Sequence, residues 1–453
     1  MVPFKLSKEL ISEIQTLIVA RQDGQLQAML EDVHYADVAE IVNGIDHIKQ
    51  ATYLIKLLDS DKTSDVLTEL DDDLREAILK RLSVKEIADE LEELDTDDAA
   101  DIVAELPPER AKKVISHIED KEHAKDIIEL LRYDEDTAGG LMAKELVQVN
   151  ENWNVLTCVK EMRAQAENVT RVHSIYVVDD EGRLKGRLSL KDLLTTSTKT
   201  HIKDVYISNV DYVDVNTKDE EVAKVMSKYD LEAIPVVDEM GRLVGRITID
   251  DIVDVIKEEA EKDYQLAAGI SQDVEADDSI LELTRARLPW LILGLFGGLG
   301  AVFIMQDYEE FMSNPELQDL FFFTPLIAAM AGNVGVQSSA IIVQGLANDI
   351  VKGSLWNRLL KEVGLSLING LALAVLVLAF GYIMNYDISF SLTVAVALIC
   401  VIIVAALIGT FVPIVLDKRG IDPAIATGPF ITTSNDIFGI FLFFYIAKLI
   451  LHF

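Results

Sequence analysis

Cysteine is nearly absent from this chain. Two occur in 453 residues, Cys158 and Cys400, far apart and with no CxxC, which excludes a disulfide framework and a structural zinc site of the usual spacing. Positive charge is also in short supply: 41 Lys and Arg stand against 76 Asp and Glu, for a formal net charge of −35. That deficit excludes nucleic acid as a partner, because phosphates need Lys and Arg, and it favours cations as ligands. The first 22 residues, MVPFKLSKELISEIQTLIVARQ, carry charge throughout and lack a long apolar stretch. They do not read as a signal peptide, and the N-terminal half is expected to stay in the cytosol.

The charge that is present is segregated. Residues 1–136 hold 35 acidic against 16 basic side chains, residues 137–263 hold 25 against 17, and residues 264–453 hold 16 against 8, nearly all between long apolar runs. An acidic soluble half is therefore joined to a membrane half. Five segments meet the length rule for a spanning helix, roughly 17–25 apolar residues: Leu288–Gln306, Leu320–Asn348, Val363–Tyr386, Ile388–Leu416 and Pro423–Ala447. Seven of the eight basic residues in this half (Arg285, Arg287, Lys352, Arg358, Lys361, Lys418 and Arg419) fall on the side of the soluble half, with Lys448 the exception. The bias places the soluble domains in the cytosol and, after five spans, the C-terminus outside.

Two spans are more than anchors. The second, FFFTPLIAAMAGNVGVQSSAIIVQGL, gathers Pro325, Gly332, Asn333, Gly335 and Gln337. That composition predicts either a loosened, pore-lining helix or close helix packing with Asn and Gln as interhelical glue. In the fifth, Asp436 is the only ionisable side chain deep in any span. No Lys or Arg lies in another span to pair with it, so it is expected to face the bundle interior, water or a bound cation. Gly428, Thr432 and Asp436 recur every four residues, which would line one helix face with a small residue, a hydroxyl and a carboxylate.

In the soluble half, residues 5–135 show short amphipathic helices, two of which, beginning at Ala99 and Ala124, are 25 residues apart, as in helical-pair arrays. Residues 137–257 contain an internal duplication at an offset of about 59: HSIYVVDDEGRLKGRLSLKDLL from His173 and EAIPVVDEMGRLVGRITIDDIV from Glu232. Each reads as strand, tight turn, strand and helix, preceded by another helix, and the pair resembles tandem CBS domains. In that family an S/T-x-x-D after the second strand can hold a nucleotide ribose. Ser189 with Asp192 and Thr248 with Asp251 match it, so ATP is a candidate ligand, although many such pairs bind nothing or bind ions. The following IDDIVDVIKEEAEKDYQLAAG is helical until Gly269 and reaches about 30 Å at 1.5 Å per residue.

Over essentially the whole chain this order of parts resembles the MgtE family of magnesium channels. The match is carried by PLIAAMAGNVGVQ, by Asp422, Pro423, Gly428, Pro429, Thr432 and Asp436, and by the junction Tyr133–Met142. The fold expected is multidomain: an all-α superhelical domain (1–136), an α/β CBS pair (137–200 and 201–257), a connecting or plug helix region (249–285), and an α-helical five-span pore domain (286–453). The resemblance implies a homodimer in the lipid of the cell (inner) membrane, with Asp436, Thr432, Gly428, Asn333 and Gly332 along the ion path. It also implies that cytosolic Mg²⁺ shuts the channel. Candidate ligands are Asp250, Asp251, Asp254, Glu258, Glu259 and Asp263 around the connecting helix, with Asp95, Asp97 and Asp98 facing them and Glu220 and Asp230 bridging the CBS domains. Each also reads as ordinary surface charge.

Three other functions compete with this one. A carrier for Co²⁺, Mn²⁺ or Zn²⁺ would use His or Cys, and none of the seven His lies in the pore motifs. An intramembrane aspartyl protease needs two carboxylates sharing a proton, and a single chain supplies only Asp436, so an enzyme is not expected. A nucleotide-sensing CBS regulator on a passive anchor would need neither five spans nor a buried Asp.

Overall fold

The structure is a computed structural model that describes residues 6–166, 169, 171, 172, 174–271, 274, 278–309, 318–348, 350, 351 and 354–451. His173, Lys352 and His452 lie outside the described residues, as does most of the loop after the first span. Two compact units are present, Met1–Lys257 and Glu258–Phe453.

Among the described residues, the first unit opens with ten short helices: α1 (Lys8–Val19), α2 (Asp23–Leu30), α3 (Tyr35–Asn43), α4 (Ile48–Ile55), α5 (Ser60–Thr68), α6 (Asp72–Leu79), α7 (Val84–Leu91), α8 (Thr96–Ala104), α9 (Pro108–His117) and α10 (Lys121–Leu130). Helices this short are marginal alone and depend on packing. Their starts are set by side-chain caps at Ser7, Asp59, Ser83 and Asp120, with Glu86 completing a capping box at Ser83. From α3 on, most pack on the helix two further along: α3 on α5, α5 on α7, α7 on α9, α4 on α6 and α8 on α10. Starts at Ser60, Val84 and Pro108, and at Asp72, Thr96 and Lys121, show a step of 24 or 25 residues. Polar side chains tie one step to the next. Ser60 Oγ donates to Glu90 Oε2 at 3.1 Å, Arg75 Nε to Glu105 Oε1 at 2.7 Å, and Arg110 to the Leu79 carbonyl at 2.7 Å.

After α11 (Ala138–Leu141) come two similar α/β modules. The first is β1 (Val147–Asn150), α12 (Val155–Gln165), β2 (Ile175–Val178), β3 (Leu184–Leu188) and α13 (Leu190–Thr195); the second is β4 (Val213–Asp214), α14 (Asp219–Tyr229), β5 (Ala233–Val237), β6 (Leu243–Thr248) and α15 (Ile249–Ala268). In each, the first strand runs parallel to the second and the second antiparallel to the third. The duplicated turns reach left-handed backbone at Gly182 (φ 80°) and Gly241 (φ 77°). They bond to each other, Leu184 N to Gly241 O and Leu243 N to Gly182 O, both at 3.0 Å. One apolar core runs from the helical array through Ala138 and Met142 into the second sheet (Val213, Ile234, Val236, Ile247). The first sheet keeps its own core around Val147, Val149, Ile175 and Val177.

Among the described residues, the second unit holds five helices long and apolar enough to cross a membrane: α16 (Ile280–Asp307), α17 (Thr324–Ala347), α18 (Leu355–Ile383), α19 (Ile388–Asp417) and α20 (Pro429–Leu451). The loosened second span expected from its Pro and Gly is not observed. Pro325 occupies the first turn of α17, where a missing N–H costs nothing, and the helix continues unbroken through Gly332 and Gly335. The interruption lies in the fifth span instead. A 3₁₀ turn (Pro423–Ala426) precedes Gly428, whose φ of 57° bars continuous helix. Gly428 therefore lies just before α20, and only Thr432 and Asp436 share the helix face predicted for all three.

Candidate ion pathway and acidic regulatory interface

Around Asp436 the membrane unit is closely packed. Gly332 faces α20, and a Cβ there would stand 3.1 Å from Thr432 Cγ2 and 3.5 Å from Asp436 Oδ1. Gly335 admits Asn435, whose amide would overlap any side chain at that position. Thr432 donates from both its backbone N and its Oγ1 to the Gly428 carbonyl, at 3.0 and 2.9 Å. The turn before α20 is held by Asp422, which accepts from Ala424 N at 2.7 Å, and by Ser339 of α17, whose Oγ donates to the Ala426 carbonyl at 3.2 Å. Gly332, Gly428, Thr432 and Asp436 are thus brought together. Asn333 is not part of this contact; with Gln337 it lies on the exposed face of α17. Among the described residues no Lys or Arg forms an ion pair with half-buried Asp436.

The last turn of α15 meets this same turn. A Cβ on Gly428 would overlap the Ala267 carbonyl, and one on Gly269 would overlap Pro429. The connecting helix therefore ends against the start of the helix that carries Asp436.

In the first unit the predicted regulatory carboxylates gather on two helix N-termini. Asp95 stands at the N-cap position of α8 without a side-chain bond to that helix, Asp97 and Asp98 lie in its first turn, and Asp250 and Asp251 lie in the first turn of α15. Burial pushes Asp97 well above the usual carboxylate range, and the charge of Asp251 adds to it. Burial, then Asp251 and Asp101, raise Asp98 to about 7. Burial raises Asp251 to about 6, against the hydrogen bonds it accepts from Thr248 N and Oγ1 at 3.0 and 2.8 Å. Such shifts mark carboxylates that repel when no cation is near. Among the described residues, no three His, Cys, Asp or Glu side chains converge closely enough to ligate a metal directly.

Sequence reasoning missed two members of this surface. Asp101 is raised to about 7, by burial first and Glu135 next, and Glu69 is raised by burial first and Asp254 next. The spacing of Asp101 from Asp97 and Asp98, four and three residues, was the available signal. Glu220 and Asp230 stand apart from it, at α14. Glu220 pairs with Lys224 at 3.2 Å on α14's own surface, and Asp230 closes that helix with a φ of 52°. Asp254, Glu258, Glu259 and Asp263 follow along α15, where Glu259 pairs with Lys262 at 2.8 Å. Of the two nucleotide motifs, Thr248 and Asp251 bond to each other, whereas Ser189 is the N-cap of α13 with no side-chain bond to that helix.

Comparison with known proteins agrees with this layout. The family model MgtE, a divalent cation transporter, matches residues 324–446; the MgtE intracellular N domain matches 33–136; and CBS domains match 138–198 and 202–258. Over 329 residues, 72% of both chains, the sequence is 36% identical to the magnesium transporter MgtE of Enterococcus faecalis and 35% identical to that of Thermus thermophilus. The Bacillus subtilis magnesium transporter MgtE is 34% identical over 324 residues, 71% of each chain. A crystal structure of the cytosolic domain of the Mg²⁺ channel MgtE in complex with ATP is 35% identical, with a TM-score of 0.50, covering 53% of this chain and 99% of that one. With all three of its domain types matched in order, and relatives above 30% identity along most of its length, the chain belongs to the MgtE family.

Proposed function

We propose that this protein is a Mg²⁺-selective channel for magnesium uptake, shut by cytosolic Mg²⁺. Half-buried Asp436 carries the reading: it is a carboxylate deep in an apolar span, beside Thr432 and Gly332 and without a basic partner among the described residues. Mg²⁺ gives up its waters reluctantly, so a carboxylate, a hydroxyl and the carbonyls near Gly428 suit a hydrated ion better than a tight cage would. Asn333 and Gln337, exposed on a single chain, would be costly against lipid. A homodimer with the ion path at its subunit interface, in the cell (inner) membrane and with the C-terminus outside, gives them a wet surface.

The domains divide the work. The acidic helical domain (1–136), the CBS pair (137–200 and 201–257) and the connecting helix region (249–285) sense Mg²⁺, and residues 286–453 conduct it. Asp95, Asp97, Asp98, Asp250, Asp251 and Asp254 form the main regulatory surface, with Glu258, Glu259 and Asp263 further along α15 and Glu220 and Asp230 on α14. Cations between these carboxylates favour the docked arrangement and shift the population toward it. ATP fits the Ser189–Asp192 motif better than Thr248–Asp251, whose side chains are engaged with each other within the electrostatic reach of Asp97 and Asp98, a setting that repels polyphosphate.

The test is Mg²⁺ uptake by purified protein in liposomes. Wild type should conduct, and Asp436→Ala, eluting and melting like wild type, should not. Wild-type flux through a well-folded Asp436→Ala would remove the pore assignment.

A further inference from the structure

Among the described residues, Arg246 is the one basic residue that is fully buried, at 5% exposure. It lies in β6, where its backbone exchanges two hydrogen bonds with Ala143, at 2.9 and 2.8 Å. The root of the side chain is therefore fixed. Nη2 donates to Asp95 Oδ2 at 3.2 Å and Nε donates to the Glu145 carbonyl. Asp95 immediately precedes α8 in the helical domain, and Arg246 belongs to the second CBS domain, so this ion pair exists only while the two domains are docked. The same guanidinium acts electrostatically on Asp251, in the first turn of α15, and on Tyr176 of β2. It thus sits where the helical domain, both CBS sheets and the connecting helix meet.

A buried guanidinium is held by its counter-charge and its hydrogen bonds together, and its planar fork can serve two acceptors at once. Here it stands among carboxylates that would otherwise repel one another. A divalent ion bridging those carboxylates would act in the same sense, drawing α8 onto the CBS pair.

We propose that Arg246 is a resident cation of this interface, a positioning residue that keeps the helical domain docked on the second CBS domain when no divalent ion is bound. Wild-type protein then enters Mg²⁺ titration partly closed, and Mg²⁺ completes a docking already begun. The inference rests on the Mg²⁺-gated reading above and sharpens it, because like-charge repulsion alone would leave the empty interface splayed.

The test is limited proteolysis of the linker at Asp134–Asp136 in the full chain, first Mg²⁺-free and then across a Mg²⁺ titration, for wild type, Arg246→Met and Arg246→Lys. Methionine keeps an unbranched side chain and removes the charge; lysine restores the charge without the fork. Without Mg²⁺, Arg246→Met should be cleaved several-fold faster than wild type, with Arg246→Lys between them. Saturating Mg²⁺ should bring all three to the same protection. Equal Mg²⁺-free cleavage of wild type and Arg246→Met overturns the inference. So does a loss that saturating Mg²⁺ fails to repair, since that marks a merely structural arginine. If a thermal melt shows Arg246→Met unfolded, Asp95→Asn breaks the same pair from the exposed side and carries the same Mg²⁺-free expectation. Wild-type protection that ignores Mg²⁺ would sink the gating reading while leaving the Arg246 comparison valid.

Discussion

Individual side chains divide into those whose meaning their neighbours in sequence announce and those whose meaning only packing supplies. Asp436 belongs to the first kind: a lone carboxylate in an apolar span is costly wherever the helix turns. Gly332 belongs to the second, since glycines in spans serve packing as often as conduction, and its place beside Thr432 and Asp436 became visible only with α17 and α20 set together. Gly332→Leu is expected to push a branched side chain into that contact and lower Mg²⁺ flux in liposomes; unchanged flux would make the contact incidental. Half-buried Glu90 is another residue of this hidden kind. Burial raises it from 4.5 to about 7, despite the hydrogen bond it accepts from Ser60. The folded state therefore binds this proton more tightly than the unfolded chain, and stability is lost as pH rises from 4.5 through about 7. Glu90→Gln should flatten that slope and raise the stability of the helical domain at pH 8 by about 1–2 kcal/mol after allowance for solvent screening. Denaturant unfolding at pH 5 and pH 8 measures it, and an unaltered pH slope would place the effect elsewhere.

At the scale of elements, periodic signals were legible and positional ones were not. The connecting helix was readable to its last residue, because its amphipathic pattern runs without Pro or Gly until Gly269, and α15 ends at Ala268. The duplicated strand–turn–strand units were readable because each turn needs glycine at positive φ. The interruption of the fifth span was not. Pro325 and Pro423 look alike in sequence, but the first stands in a helix's opening turn and the second opens a short 3₁₀ turn that Gly428 ends. What gives that turn its importance is the Ala267 carbonyl packed against Gly428, a contact between residues far apart in the chain. Gly428→Ala combines an unfavourable backbone conformation at φ 57° with a clash against that carbonyl. It should therefore loosen α15 from the start of α20 and move the cytosolic Mg²⁺ concentration at which flux stops. A closing curve identical to wild type would show that gating passes through another contact.

On the scale of the whole molecule, charge is the organising quantity. Before residue 264 there are 60 carboxylates and 33 basic side chains, and the most strongly perturbed of these carboxylates lie where α8 meets the start of α15. Composition made the excess plain, but could not separate the few carboxylates that meet at an interface from the many that face solvent. That distinction depends on which carboxylates folding crowds together, which brought in Asp101 and Glu69 and set Glu220, paired with Lys224, apart. A sensor built this way should be removable without harm to the pore, since Asp436 and its neighbours Thr432 and Gly332 all belong to the second unit. The most direct measurement is Mg²⁺ flux through purified protein in liposomes while Mg²⁺ is titrated on the cytosolic side, comparing the full chain with one lacking residues 1–130. The account predicts that rising cytosolic Mg²⁺ closes the full chain and that the shortened chain still conducts but needs far more Mg²⁺ to close. Closure of both at the same concentration would contradict it.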